Sequence, residues 1–142
     1  MAVASVAGCT EPRPDILANG TFASSVCESS GTPSRHAMPC VGLRTSQTTY
    51  SYLDSGTIRF ATGGRVSFSL FQSDRSSMGS CCASTSSGSG TYTMSGPFAT
   101  ANGSPYHVVT LTTADTTISG AVLIGDTLRV PYFGSTVLFV RN

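Results

Sequence analysis

The stretch Arg65–Phe71, RVSFSLF, alternates apolar and polar residues with a period of two. Val66, Phe68 and Leu70 fall on one side of an extended chain, while Ser67 and Ser69 fall on the other. This is the period of a β-strand that buries one face and exposes the other. The alternation therefore predicts a strand with an apolar side towards a core.

Further strand-like segments lie on both sides of this stretch. Before it, β-favouring residues dominate 48–54 and 57–61, and Asp54-Ser55-Gly56 and Thr62-Gly63-Gly64 are typical of hairpin turns, since Gly tolerates positive φ. After it, the strand pattern recurs in GTYTMSG (90–96), YHVVTLTT (106–113), TTISGAVLIG (116–125), DTLRVPYF (126–133) and STVLFVRN (135–142). Eight or nine strands with short turns and no long helix predict an all-β fold, an antiparallel up-and-down β-barrel of about eight strands.

Two segments lack this pattern. The Ser- and Gly-rich stretch Gln72–Gly90 shows no period and is predicted to be a long loop, either a functional lid or a solvated excursion. The first forty residues contain four prolines and only one strand-like segment, GTFASSVC at 20–27. We expect residues 1–18 to be a flexible N-terminal tail or signal remnant and residues 19–142 to be a single barrel domain.

Composition limits the function classes. The 142 residues suffice for one domain, the net charge is +1 and no run of basic residues occurs, so nucleic acid is not expected as a partner. The chain has no lysine, which excludes Schiff-base chemistry and a P-loop. No apolar run approaches the roughly 20 residues of a membrane span.

Five cysteines in a small Ser- and Thr-rich chain indicate an oxidising, extracytoplasmic location, either secreted or envelope-anchored. A Cys27–Cys40 pair would close a modest loop and stabilise the fold by roughly 2 to 4 kcal/mol, although the sequence leaves other pairings open. The stretch Val6–Cys9 resembles the end of a bacterial lipobox, in which case Cys9 would be lipidated. The alternative is an N-terminal tail or a trimmed signal peptide.

In Gly20-Thr21-Phe22 and in Arg141 of TVLFVRN, the chain resembles the calycins, which are the lipocalin and avidin-like barrels. Those barrels begin with Gly-x-Trp and place an arginine of the last strand across the tryptophan ring; here Phe replaces Trp. GTYTMSG and GDTLRV…STVLFVR are also similar to the closing strands of small bacterial lipocalin-like and META-type envelope domains, many of which are lipoproteins. The resemblance implies a small β-barrel closed at one end by an arginine–aromatic contact.

Residues with polar or aromatic side chains at strand positions are the candidate site residues. His107 alternates with Val109 and Leu111, so it points inward if they do, and it could then act as a base. The candidates for catalysis are His107, Tyr92 and Arg59. The candidates for ligand contact are Tyr50, Tyr52, Phe68, Tyr92, Met94, His107, Arg129, Tyr132 and Phe139.

No cofactor is expected, and no metal is expected because the chain has no Cys-x-x-Cys spacing. A Ser-His-Asp triad is not expected either, because the chain has no Gly-x-Ser-x-Gly elbow. The first functional hypothesis is therefore a barrel that binds a small, largely apolar molecule. A second is a cyclase or isomerase that folds such a molecule within the barrel. A third is a filled structural or interaction domain of the envelope that uses Val137–Val140 for contacts. Homodimerisation is a further partner hypothesis.

Overall fold

The structure is a computed structural model that describes residues 16–29, 35–44, 48–76, 79–133 and 135–142. No helix in these ranges is long and apolar enough to cross a membrane. The chain forms ten strands within them: β1 (Thr21–Ser29), β2 (Arg35–Ala37), β3 (Cys40–Arg44), β4 (Thr49–Ala61), β5 (Arg65–Ser76), β6 (Gly79–Ala99), β7 (Pro105–Thr113), β8 (Thr117–Ile124), β9 (Thr127–Tyr132) and β10 (Ser135–Arg141).

Eight of these strands close into an antiparallel up-and-down barrel. From β4 to β10 each strand pairs with the next, and β10 pairs with β1. The barrel closes where β1 meets β4, with Phe22 opposite Ile58 and Ala23 opposite Thr57. The predicted all-β barrel is confirmed: closure pairs both edges of the sheet, and the described residues form no helix that could cover them.

The two short strands fill the remainder of this seam. The edge of β1 that pairs with β4 at Ala23 pairs with β2 from Val26 onward, and β3 pairs with β4. Buried Cys27 and Cys40 form a disulfide across the seam, with Cα atoms 5.6 Å apart, and Met38 Sδ lies 3.6 Å from each sulfur. Cys27 therefore pairs with Cys40, one of the pairings that the sequence left open; Cys82 is also disulfide-bonded.

Two local predictions were wrong. Asp54-Ser55-Gly56 is not a turn, because β4 continues through it with a β-bulge between Leu53 and Ser55. Gln72–Gly90 is not a long loop, because its described residues, 72–76 and 79–90, complete β5 and begin β6. Ser86 and Gly88 pair with Leu70 and Phe68, so strand structure there comes from pairing with β5 and not from the intrinsic preference of Ser and Gly.

One end of the barrel is closed by aromatic packing. The Phe22 and Phe60 ring centres are 5.7 Å apart, those of Phe60 and Tyr92 are 4.8 Å apart, and both pairs meet edge to face. Arg141 Cζ lies 5.0 Å from the Phe22 ring centre, and its guanidinium donates to the Ile16 carbonyl. This is the arginine–aromatic contact that the calycin resemblance implies.

Gly20 allows this close approach. A Cβ atom there would lie 3.0 Å from the Leu17 carbonyl oxygen, 3.2 Å from Phe22 Cε1 and 3.4 Å from Arg141 Cζ. The turn at 16–19 also brings Leu17 into the core, where it is fully buried. The packing at the closed end therefore requires a residue without a side chain at Gly20, immediately before β1.

Candidate functional site

The opposite end of the barrel is hollow. A cavity of about 490 Å³ lies among the inner faces of the strands and beside the turns that follow β7 and β9. Its walls are mostly apolar, a character typical of sites for small organic molecules. The lining residues are Leu53, Ile58, Val66, Phe68, Leu70, Gln72, Ser86, Leu111, Thr113, Asp115, Thr116, Ile118, Val130, Pro131, Tyr132, Phe133, Val137 and Phe139.

The cavity arises from a difference in side-chain size between neighbouring strands. The inward residues of β5 are large, and Phe68 and Leu70 are only partly buried. Their partners on β6 are Gly88 and Ser86, which project little into the interior. The small residues of β6 therefore leave space that larger side chains would fill.

Gly88 accommodates one ring of this wall. A Cβ atom at Gly88 would lie 2.8 Å from Phe68 Cζ and 3.0 Å from Phe68 Cε1. Such distances are shorter than carbon atoms tolerate, so the Phe68 ring packs on the bare backbone of β6. The glycine thus determines how far Phe68 extends into the cavity.

A hydrogen bond crosses the barrel at this end. Gln72 Nε2 donates to Tyr132 Oη over 2.9 Å. Gln72 belongs to β5 and Tyr132 to β9, and these strands lie four strands apart in either direction around the barrel. Both side chains line the cavity, so the bond places polar groups inside a mainly apolar space.

The arginine side chains that the structure describes do not line the cavity. Arg59 and Arg65 are exposed on the outer face, since their neighbours Ile58, Phe60 and Val66 are buried. Arg75 donates to Asp54 over 2.6 Å, and its Cζ lies 5.1 Å from the Tyr52 ring centre.

Arg35 and Arg129 both bind Glu28, with Arg35 Nε 2.8 Å from Glu28 Oε2. This outer-face cluster holds the pKa of Glu28 below its usual value. The hydrogen bond from Arg35 is the largest cause and Arg129 adds to it, while burial opposes both. Arg129 is thus part of an ion cluster outside the barrel.

The sequence candidates are divided between the cavity and the rest of the barrel. Phe68, Tyr132 and Phe139 line the cavity together. Tyr92 lies in the core against Phe60, and Met94 packs against that core. Neither of these two is among the lining residues.

The remaining candidates lie at other positions on the strands. His107 is half-buried and pairs with Leu123; it lies four residues from Leu111, towards the β6–β7 turn at the closed end. Tyr52 packs beneath Arg75, and Tyr50 pairs with Arg75 on β5. The structure therefore does not bring His107, Tyr50, Tyr52, Arg59 or Arg129 into the lining of this cavity.

Sequence reasoning missed several lining residues. Gln72, Ser86, Thr113, Asp115 and Thr116 were not candidates. Gln72 had a usable signal, because it continues the two-residue period of Val66, Phe68 and Leu70 by one further step. The other four residues had no such signal, because their place in the lining depends on which turns and strands meet at the open end.

Comparisons of the chain with protein-family models, curated proteins and solved structures find no match. Among the residues that the structure describes, no group of three or more His, Cys, Asp or Glu side chains is placed to hold a metal ion.

Proposed function

We propose that the barrel binds a small, largely apolar molecule in the cavity at its open end. The observation that carries this proposal is a mostly apolar space of about 490 Å³ lined by side chains of seven strands, β4 to β10. Its size lies within the range of sites that enclose small molecules. Phe68, Tyr132 and Phe139 would contact the ligand directly.

The other two hypotheses have less support. The cyclase or isomerase hypothesis relied on His107, Tyr92 and Arg59, and none of these residues lines the cavity. The hypothesis of a filled structural barrel does not explain why β6 presents glycine and serine to the interior opposite Phe68 and Leu70. We further propose that the protein works in an oxidising, extracytoplasmic compartment, which the Cys27–Cys40 disulfide supports.

A pair of substitutions on adjacent β6 residues tests the binding proposal. Ser86 lines the cavity, whereas Ser87 pairs with Ser69 and points outward. We expect the wild type to bind the neutral dye N-phenyl-1-naphthylamine with enhanced fluorescence. Ser86→Phe should abolish this signal by filling the space, and Ser87→Phe should retain it.

Equal dye binding by the wild type and by Ser86→Phe would contradict the proposed site. Absence of dye binding by the folded wild type would contradict the proposed function. Circular dichroism of each variant establishes that the barrel is folded before the titrations are compared.

A further inference from the structure

The cavity has a charge character that restricts its ligand. Among the described lining residues Asp115 is the only charged one, and it lies at the turn between β7 and β8. The internal segments outside the described ranges, 30–34, 45–47, 77–78 and 134, contain no Lys, Arg or His. No described side chain therefore offers the cavity a positive charge.

Five arginines whose side chains the structure describes are already engaged or point outward. Arg75 is bound to Asp54, Arg35 and Arg129 are bound to Glu28, and Arg59 and Arg65 lie on the outer face. A carboxylate or phosphate entering the cavity would lose hydration without gaining a cation from the described lining residues, which is unfavourable. The carboxylate of Asp115 would add like-charge repulsion.

The polar pair in the cavity matches an uncharged group instead. Tyr132 Oη accepts the hydrogen bond from Gln72 Nε2, so the phenolic proton remains available for donation. Gln72 Oε1 is an acceptor at the same place. A hydroxyl, ketone or ester oxygen on an otherwise apolar molecule can therefore bond to this pair without a counter-ion.

We propose that the cavity selects uncharged amphiphiles, molecules with a long apolar part and one neutral oxygen group, over the corresponding carboxylates. The proposal rests on the proposed function and goes further by naming the ligand class. The Gln72–Tyr132 pair binds the neutral oxygen, and the absence of a cation among the described lining side chains together with Asp115 disfavours the anion.

The test compares matched ligands in displacement of the bound dye at neutral pH. Dodecanoate, methyl dodecanoate and 1-dodecanol share one chain length and differ in the head group. We expect the ester and the alcohol to displace the dye at concentrations at least about tenfold lower than dodecanoate. Tyr132→Phe should weaken 1-dodecanol by about fivefold to tenfold, because one hydrogen bond is lost, and this loss should exceed any change in the affinity for the dye.

A variant that should bind the carboxylate more tightly complements the variant that should bind the alcohol more weakly. Asp115→Arg should improve dodecanoate binding by about tenfold or more and change methyl dodecanoate little, since it replaces repulsion by attraction at the same rim position. Asp115→Gln is the neutral control and should give an intermediate result.

The outcomes separate this inference from the proposed function. Dye binding together with equal affinity for dodecanoate and its methyl ester would overturn the selection of uncharged ligands and leave the cavity as a binding site. Tighter binding of dodecanoate would do the same. Failure of the wild type to bind the dye or any of the three amphiphiles would overturn the proposed function itself.

Discussion

Gln72 and Tyr132 join opposite walls of the barrel through a single hydrogen bond of 2.9 Å. Their strands, β5 and β9, are not hydrogen-bonded neighbours in the sheet, so this side-chain bond connects them across the interior of the barrel. Because the bond lies within the cavity, it affects both the stability of the open end and the polarity that a ligand meets there. A change at either residue should therefore alter folding and binding together.

Removing the phenolic hydroxyl should cost a modest part of the folding free energy. In Tyr132→Phe the Gln72 amide loses its partner, and we expect the free energy of unfolding to fall by about 1 kcal/mol. Urea unfolding of the wild type, Tyr132→Phe, Gln72→Leu and the double variant measures the coupling. Additive effects of the two single substitutions would contradict a direct interaction.

Arg141 should stabilise the closed end through its contact with Phe22 and its bond to the Ile16 carbonyl. Arg141→Met keeps much of the apolar stem but removes both interactions. We expect the free energy of unfolding to fall by about 1 to 3 kcal/mol in urea denaturation. Arg59→Met, at an exposed outward position, is the control and should change it by less than about 0.5 kcal/mol. Similar losses in both variants would mean that Arg141 has no special role.

Gly88 should be needed for the shape of the cavity. In Gly88→Ala the new methyl group overlaps the present position of the Phe68 ring, so the ring must shift and the cavity wall that it forms changes shape. We expect dye affinity to fall severalfold and the unfolding free energy to fall by about 1 to 3 kcal/mol. Ser89→Ala, at the adjacent outward-facing position, should bind the dye as the wild type does. Unaltered affinity in Gly88→Ala would show that Phe68 does not form the wall.

The barrel could be predicted from sequence because its strongest signal is local. The alternation of Val66, Phe68 and Leu70 and the glycines at 63 and 64 encode a strand and a hairpin without reference to the rest of the chain. The contact of Arg141 with Phe22 was implied only by resemblance, since residues more than a hundred positions apart share no local pattern.

The cavity was harder to predict because it depends on strand partners. Ser84–Gly90 has the composition of a loop, and only its pairing with β5 makes it a strand. Arg129 lies between buried Leu128 and Val130, so sequence indicates that it points away from the core. Its partner Glu28 is on β1, 101 residues away, and no pattern in the sequence identifies that pair.

The Cys27–Cys40 disulfide should stabilise the seam between β1 and β4. It joins residues 13 positions apart and restricts the unfolded chain, which corresponds to a contribution of roughly 3 kcal/mol. We expect the Cys27→Ala/Cys40→Ala variant to lose about 2 to 4 kcal/mol of unfolding free energy in urea under oxidising conditions. Since Cys82 is also disulfide-bonded, the double variant is more specific than adding a reductant to the wild type. A loss below about 0.5 kcal/mol would show that the strand pairing alone holds the seam.

Glu28 should make stability fall in acid. Its hydrogen bonds with Arg35 and Arg129 lower its pKa in the folded state, so the unfolded state binds protons more readily. The resulting stabilisation is fully present above the unfolded pKa, near 4.3, and disappears as the pH falls through the lower folded value. We therefore expect the wild type to be more stable than Glu28→Gln at about pH 6 and to lose this advantage towards about pH 3.

The arginine partners provide the control for this pH dependence. Arg35→Gln removes the largest cause of the lowered pKa, so the acid-side loss should begin at a higher pH than in the wild type. Arg65→Gln removes an exposed outer-face arginine that is not bound to Glu28, and it should leave the midpoint unchanged. Urea unfolding at a series of pH values measures each difference. A gap between the wild type and Glu28→Gln that stays constant across this range would show that the ion cluster does not couple protonation to folding.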